Sequence, residues 1–187
     1  LRQNGHPVDK VELLVLGGTW SSYPMQYREE FIRDLFYAAN TIFIRNDKRE
    51  RLDLRGEKEI NSVSTCRIIG ITLETRPDCI NEEELFHFRR VGCTRVQLGI
   101  QHTDDKILDN VNRQCPTYKT KNAIKLLLNS SFKVDGHFMP QLPGATMEID
   151  KKMFNNVLTD PDLQIDQWKI YPCEITPWTI IKKWYDE

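Results

Sequence analysis

Ile68-Ile69-Gly70-Ile71-Thr72-Leu73-Glu74-Thr75-Arg76-Pro77-Asp78 is the stretch whose reading decides the fold. It is β-branched, apolar and too short for a helix of ordinary length, so it reads as a buried strand stopped by Pro77 and Asp78. A carboxylate and a guanidinium then stand at its C-terminal end. In a parallel α/β structure the loops leaving the strand tips converge on one face, and ligands bind there. Read alone, the stretch fits a structural ion pair at a sheet edge as well as it fits a site.

Working outward, Val11-Glu12-Leu13-Leu14-Val15-Leu16 is a second strand, running into Gly17-Gly18-Thr19. Two glycines let the backbone turn sharply and leave peptide groups open to a ligand. After Ser21-Ser22-Tyr23-Pro24 comes a helix whose apolar stripe is Phe31, Ile32, Leu35, Phe36 and Ala39. The segment 45–65 interleaves Arg45, Lys48, Arg49, Arg51, Arg55 and Lys58 with Asp47, Glu50, Asp53 and Glu57, and shows little apolar periodicity. It is expected to be a solvated, mobile, charged loop.

Beyond the deciding strand, Asn81 with Glu84 three residues later marks a helix start, Leu85 and Phe88 its buried face and Gly92 its end. Thr94 to Gln101 is the next strand, followed by a short helix over 104–111. Thr117 caps a helix with Ala123, Ile124, Leu127 and Leu128 on one face. Phe132 to Met139 is a strand ending in Pro140-Gln141-Leu142-Pro143-Gly144. Ile149, Met153, Phe154 and Val157 give a further helical face, Gln167 to Pro172 a last strand, and Trp178, Ile181 and Trp184 the start of a last helix. Five strands alternating with helices call for parallel pairing through right-handed crossovers. Hydrogen-bonding groups fall after the strands in turn, at Gly17, Gly18 and Thr19, Glu74 and Arg76, Gln101, His137, and Lys169 and Tyr171. Such a row at successive strand tips describes a ligand mouth better than a core.

The bulk properties set limits. A chain of 187 residues supports one domain with a real core, and falls short of a complete (βα)₈ barrel of about 250 residues. No apolar run approaches the roughly 20 residues that span a bilayer, and the opening Leu1-Arg2-Gln3-Asn4-Gly5-His6-Pro7 is no secretory signal, so an intracellular setting is expected. A formal net charge of −1 argues against coating nucleic acid by bulk electrostatics and leaves room for a local basic patch. Cys66, Cys79, Cys93, Cys115 and Cys173 contain no C-x-x-C pair, which argues against a zinc or iron-sulfur centre built from this chain alone and for free thiols.

Five segments in order carry a resemblance: Gly17-Gly18-Thr19-Trp20, Gly70 to Asp78, Gly92 to Gln101, His137 to Gly144, and Lys169-Ile170-Tyr171-Pro172. Together they resemble the radical S-adenosylmethionine domain of the Elongator catalytic-subunit family, with a wider likeness to oxygen-independent coproporphyrinogen oxidases. The resemblance covers nearly the whole chain. It implies a partial (βα)₆ TIM-like barrel, here about five βα units, that uses S-adenosylmethionine and a 4Fe-4S cluster. It further implies acetyl-CoA as co-substrate, tRNA as substrate modified at C5 of the wobble uridine, other Elongator subunits as partners, and a cytoplasmic location, with the nucleus beside it.

Position by position, Gly17, Gly18 and Thr19 match the glycine motif that receives the methionine amino group, although the wider superfamily often has glutamate where Thr19 stands. Glu74 matches the acid that contacts the cofactor, Gln101 and Arg113 the pair reaching the methionine carboxylate, and His137 a polar group near the ribose. Lys169 and Tyr171 match the catalytic motif on the substrate side. The family's cluster cysteines lie upstream of the glycine motif, where this sequence has none, and its acetyltransferase-like domain lies downstream. The expectation is therefore an incomplete radical-SAM core over 1–187, inactive alone, with no metal ligands of its own. A cluster-free module binding tRNA or an Elongator partner, and a radical-SAM enzyme with another substrate such as a porphyrin, are the alternatives.

Overall fold

The structure, a computed structural model, describes residues 2–46 and 48–187. Leu1 of the opening segment and Asp47 of the charged stretch lie outside the described residues. The strands are β1 (Lys10–Val15), β2 (Arg67–Thr75), β3 (Arg95–Gln101), β4 (Lys133–Phe138) and β5 (Gln167–Ile170), in the order β1-β2-β3-β4-β5. Between and after them come α1 (Met25–Thr41), α2 (Leu54–Asn61), α3 (Glu82–Val91), α4 (Asp105–Asn110), α5 (Thr117–Asn129), α6 (Met147–Thr159) and α7 (Ile180–Asp186). The chain divides into two compact units, one reaching to Thr75 and taking in Glu82–Val96, the other holding Arg76–Asn81 and Gln97–Glu187.

In the first unit β1 and β2 pair in parallel, from Lys10 opposite Arg67 to Val15 opposite Leu73. The register slips between Val11 and Glu12, whose partners are Ile68 and Gly70, so Ile69 is the extra residue of a bulge. Ile69 is accordingly 53% exposed, and only the C-terminal half of β2, around Ile71 and Leu73, is buried. The expectation of a strand buried along its whole length is corrected to that extent. α1 buries Ile32 and Phe36, and one turn before Ile32 it buries Arg28 on the same face. α3 ends at Gly92 (φ +85) in a Schellman motif, with Gly92 N–H on the Arg89 carbonyl and Cys93 N–H on that of Phe88.

The charged stretch 45–65 is not a loop throughout: residues 54–61 form α2, with the Asp53 carboxylate capping Gly56 N–H at 2.8 Å. The Glu57 side chain is completely buried and takes both arms of Arg49 (2.7 and 2.6 Å), Leu52 N–H (2.9 Å) and Asn40 Nδ2 (2.9 Å). Asn61 then bonds Asn40 Oδ1, the Cys66 carbonyl and Ile68 N–H, tying α2 to α1 and to the start of β2. A polar network of this kind fills the place that an apolar stripe would otherwise occupy, and hydropathy periodicity does not register it.

The Arg49 guanidinium, foremost, holds the Glu57 carboxyl down to about 2, from 4.5. A depressed carboxylate contributes stability that is fully present above its unfolded value and is lost as pH falls through the folded one. Unfolding in urea is therefore expected to ease between about pH 4.5 and pH 2, by on the order of 2 kcal/mol once the partial exposure of Arg49 is discounted. Glu57→Gln should flatten that part of the profile; an unchanged acid slope in the variant would contradict this account.

In the second unit β4 and β5 pair in parallel, with His137 opposite Lys169 and Phe138 opposite Ile170. Val134, Phe138, Leu127, Met153 and Leu163 are buried to within 2% exposure and form its core. Thr117 is the first residue of α5 and not its cap. Its N–H and hydroxyl both bond the Asp105 carboxylate at 2.7 Å, and Pro116 stands at the cap position.

Candidate active site

The exit of β1 turns through Gly17 (φ +98) and Gly18 (φ +105), a conformation that glycine alone adopts without strain. A Cβ at either would meet no atom within 4 Å, so the backbone faces open space. Gly17 N–H donates to Glu74 Oε2 at 2.9 Å, joining the exits of β1 and β2. Thr19 is half-buried. Its carbonyl accepts Ser22 N–H (3.0 Å) and the Ser22 hydroxyl (2.6 Å), which fixes a short turn beginning at Trp20.

Behind this turn lies an anchor that the sequence reading did not find. Ser21 Oγ bonds Thr75 Oγ1 at 2.8 Å and donates to Glu84 Oε1 at 2.7 Å, and Arg28 Nη1 reaches the same carboxylate oxygen at 2.5 Å. Both partners of this ion pair are buried, at 6% and 8% side-chain exposure. Glu84, read from sequence as part of a capping box, is the acid of that pair.

Within the second unit Arg76 forks onto Asp78 (2.9 and 2.8 Å) and also donates to the Arg113 carbonyl at 2.9 Å. That fork raises the Arg76 pKa and holds the Asp78 carboxyl below its ordinary value. Arg113 donates through Nη2 to the Gly99 carbonyl at 2.5 Å, while its Nε is buried without a hydrogen-bond partner. Burial, and then the neighbouring Arg76, lower the Arg113 pKa. An alkyl group at Gly99 would come 2.8 Å from that Nη2, so glycine is what admits the guanidinium.

Gln101 has φ +72, unusual for a residue with a side chain, and its carbonyl accepts Met139 N–H at 2.7 Å. His137 Nε2 lies 3.1 Å from Gln97 Oε1, and its ring stands edge-on to Tyr171 at 5.8 Å. Tyr171 N–H bonds the Phe138 carbonyl, and Lys169 sits opposite His137 across the β4–β5 pair. The first unit therefore brings Gly17 and Glu74 together, and the second brings His137, Lys169 and Tyr171 together, with Gln101 tied to the residue after β4.

The open glycine turn with a carboxylate bonded to it fits the ammonium end of an amino-acid moiety, such as the one S-adenosylmethionine carries. A cluster is a different matter. Cys66, Cys93 and Cys115 are buried free thiols, Cys79 and Cys173 are half-buried ones, and burial raises the pKa of Cys93 to about 12. Among the described residues no group of three or more His, Cys, Asp or Glu could hold a metal ion, so these residues do not fit an iron-sulfur cluster.

Residues 10–155 match the family described as the Radical SAM superfamily. The chain belongs to it. This radical SAM chain is 38% identical over 173 residues to a tRNA uridine(34) acetyltransferase of Methanocaldococcus infernus, covering 92% of the chain and 31% of the relative. It is 35% identical over 172 residues to Elongator complex protein 3 of Saccharomyces cerevisiae, covering 92% and 30%. The solved structure of the archaeal Methanocaldococcus infernus Elp3 with an N-terminal deletion superposes with a TM-score of 0.91 at 36% identity, over 99% of the radical SAM chain and 42% of that one. Coproporphyrinogen III oxidase of Escherichia coli gives a TM-score of 0.52 at 16% identity, a likeness of fold alone. The expected fold class, a partial TIM-like α/β barrel of the radical-SAM type, is the one these comparisons show. The radical SAM chain spans about a third of the length of the curated relatives it matches.

Proposed function

We propose that this chain is the S-adenosylmethionine-binding core of a radical-SAM enzyme that modifies the wobble uridine of tRNA. The added group is an acetyl-CoA-derived carboxymethyl-type substituent at C5. The observation that carries the reading is the 35–38% identity, over nearly the whole chain, to proteins named for tRNA uridine(34) acetylation and for Elongator. tRNA is then the substrate, acetyl-CoA the co-substrate, other Elongator subunits the partners, and the cytoplasm, with the nucleus, the location. No helix among the described residues is long and apolar enough to cross a membrane.

In this reading the Gly17-Gly18-Thr19 backbone and the Glu74 carboxylate hold the methionine ammonium. Gln101 and Arg113 serve its carboxylate, His137 its ribose, and Lys169 and Tyr171 the substrate side. Bound beside a 4Fe-4S cluster whose ligands lie outside this chain, S-adenosylmethionine would supply carbon-radical chemistry, and the role of this chain's residues would be to hold and orient it. The deciding experiment uses the full-length protein, reconstituted anaerobically, with tRNA and acetyl-CoA. Nucleoside analysis should show a modified wobble uridine, whereas unchanged uridine alongside active S-adenosylmethionine cleavage would refute the substrate assignment.

A further inference from the structure

Within the second unit Arg113 is a cation with little to hold it. Among the described residues its side chain makes one hydrogen bond, Nη2 to the Gly99 carbonyl, and no carboxylate pairs with it. The one carboxylate whose field reaches it, that of Asp78, is forked by Arg76. A half-buried guanidinium in this state favours an anionic ligand, because a charge withdrawn from water without a countercharge is costly. A second donor stands beside it. A Cβ on Gly99 would lie 2.8 Å from Arg113 Nη2 and 3.4 Å from Gln101 Nε2, so both side chains lean over the same bare backbone. A guanidinium next to a carboxamide N–H suits a carboxylate, which accepts from both.

The aim of that guanidinium depends on a backbone that turns twice in three residues. Asn112 (φ +54) and Gln114 (φ +52) both lie in the left-handed region, on either side of Arg113. Residues other than glycine adopt it at a cost and keep it only where the surroundings hold them there. The end of α4 holds the first turn, with Asn112 N–H on the Asp109 carbonyl at 2.9 Å and Arg113 N–H on that of Leu108 at 2.8 Å. Gln114 Nε2 reaches back to Asn112 Oδ1 at 2.9 Å. From outside the loop Arg76 takes hold, its Nη2 donating to the Arg113 carbonyl at 2.9 Å. Arg76 is itself anchored, since the Asp78 carboxylate accepts its Nε and Nη2 across Pro77, whose ring fixes φ. A planar fork supports both contacts at one geometry, which an ammonium on a flexible stem does not reproduce.

We propose that Arg76 is a positioning residue for carboxylate recognition: anchored on Asp78, it pins the Arg113 carbonyl and so sets the Arg113 guanidinium beside Gly99 and Gln101. The inference rests on the reading in which Arg113 and Gln101 serve the carboxylate of S-adenosylmethionine, and it adds the residue that aims Arg113.

The test uses full-length protein and two ligands, S-adenosylmethionine and its decarboxylated analogue, which keeps the adenosine, the sulfonium and the ammonium. Calorimetric titration should give the wild type a preference for the carboxylate-bearing ligand of roughly 10- to 150-fold. Arg76→Lys keeps the charge and loses the fork, and should cut that preference by about 5-fold or more. Asp78→Asn releases the anchor and should act in the same direction. By charge alone, removing an anion near Arg113 would favour a carboxylate ligand, so a fall in this variant reports geometry. Affinity for the decarboxylated ligand should stay that of the wild type, and melting curves should show both variants folded. Folded variants that keep the full preference would overturn the inference and leave the cofactor reading standing. Variants that bind both ligands more weakly in the same ratio would also overturn it, since Arg76 would then only brace the loop. A wild type that binds the two ligands equally would overturn it by showing that Arg113 recognises no carboxylate. A wild type that binds neither would sink the cofactor reading and the inference with it.

Discussion

Replacing Glu74 by alanine in the full-length protein is expected to weaken S-adenosylmethionine binding roughly 10- to 150-fold, equivalent to about 1.5–3 kcal/mol for a lost charge-assisted contact. RNA affinity should stay close to that of the wild type. Glu74 does two things that this substitution removes together: it accepts Gly17 N–H, and it presents a negative charge beside an open glycine turn. Glu74→Gln separates them, because an amide oxygen can still accept from Gly17 while the charge is gone. If the carboxylate serves a cationic ammonium, Gln should lose nearly as much affinity as Ala. If Gln binds the cofactor like wild type, the charge is not used and the residue only braces the turn. Calorimetric titration of the cofactor and anisotropy titration of RNA, on the same preparations, distinguish these outcomes. Equal loss of both would mean that the fold has been damaged.

That Gly17 and Glu74 both stand where strands stop was legible in the sequence, and a parallel α/β chain brings consecutive strand ends side by side, but the hydrogen bond between them was not foreseen. The strands themselves were legible to within a residue or two of their ends, since β-branched runs between turn residues have few other uses. What escaped were features in which polar or aromatic groups do what apolar periodicity normally does. Helix α2 has a single buried apolar residue, Leu54, and packs instead through Glu57 and Asn61. A count of charges therefore reads it as solvated. The exposure of Ile69 depends on a bulge set by its partner strand, of which one strand's sequence carries no sign. Phe31 was recognised as part of a helical face, but its edge-on contact with Trp20, centroids 5.8 Å apart, depends on Trp20 folding back, and i, i+4 spacing accounts only for its contact with Tyr27.

Arg28 is the other feature that no sequence pattern announced, and its partner gives the largest expected effect on stability. Glu84→Ala should destabilise the protein by about 3–5 kcal/mol, because it leaves a guanidinium at 5% exposure with no countercharge. Among the described residues, Arg28 Nε has no hydrogen-bond partner, Nη2 donates to the Met25 sulfur at 3.7 Å, and His87 offers no help. Burial first, and then the charges of Arg28 and Arg90, hold His87 down to about 4, so it is neutral at pH 7 and its ring nitrogens are buried and unpartnered. The cost is one of breaking a buried pair, and it differs from the net worth of having one. Replacing both partners by apolar residues of similar volume, Arg28→Met with Glu84→Leu, should recover most of the loss. The double replacement would still lack the Glu84 oxygen that holds Ser21, and with it one of the two bonds of the Ser21 hydroxyl in the turn behind Gly17 and Glu74. Unfolding curves should therefore show the double variant close to wild type, while its cofactor affinity stays below wild type. A Glu84→Ala variant as stable as wild type would mean that the pair is not buried in solution. A double variant with both stability and affinity restored would mean that Ser21 does not couple the pair to the site.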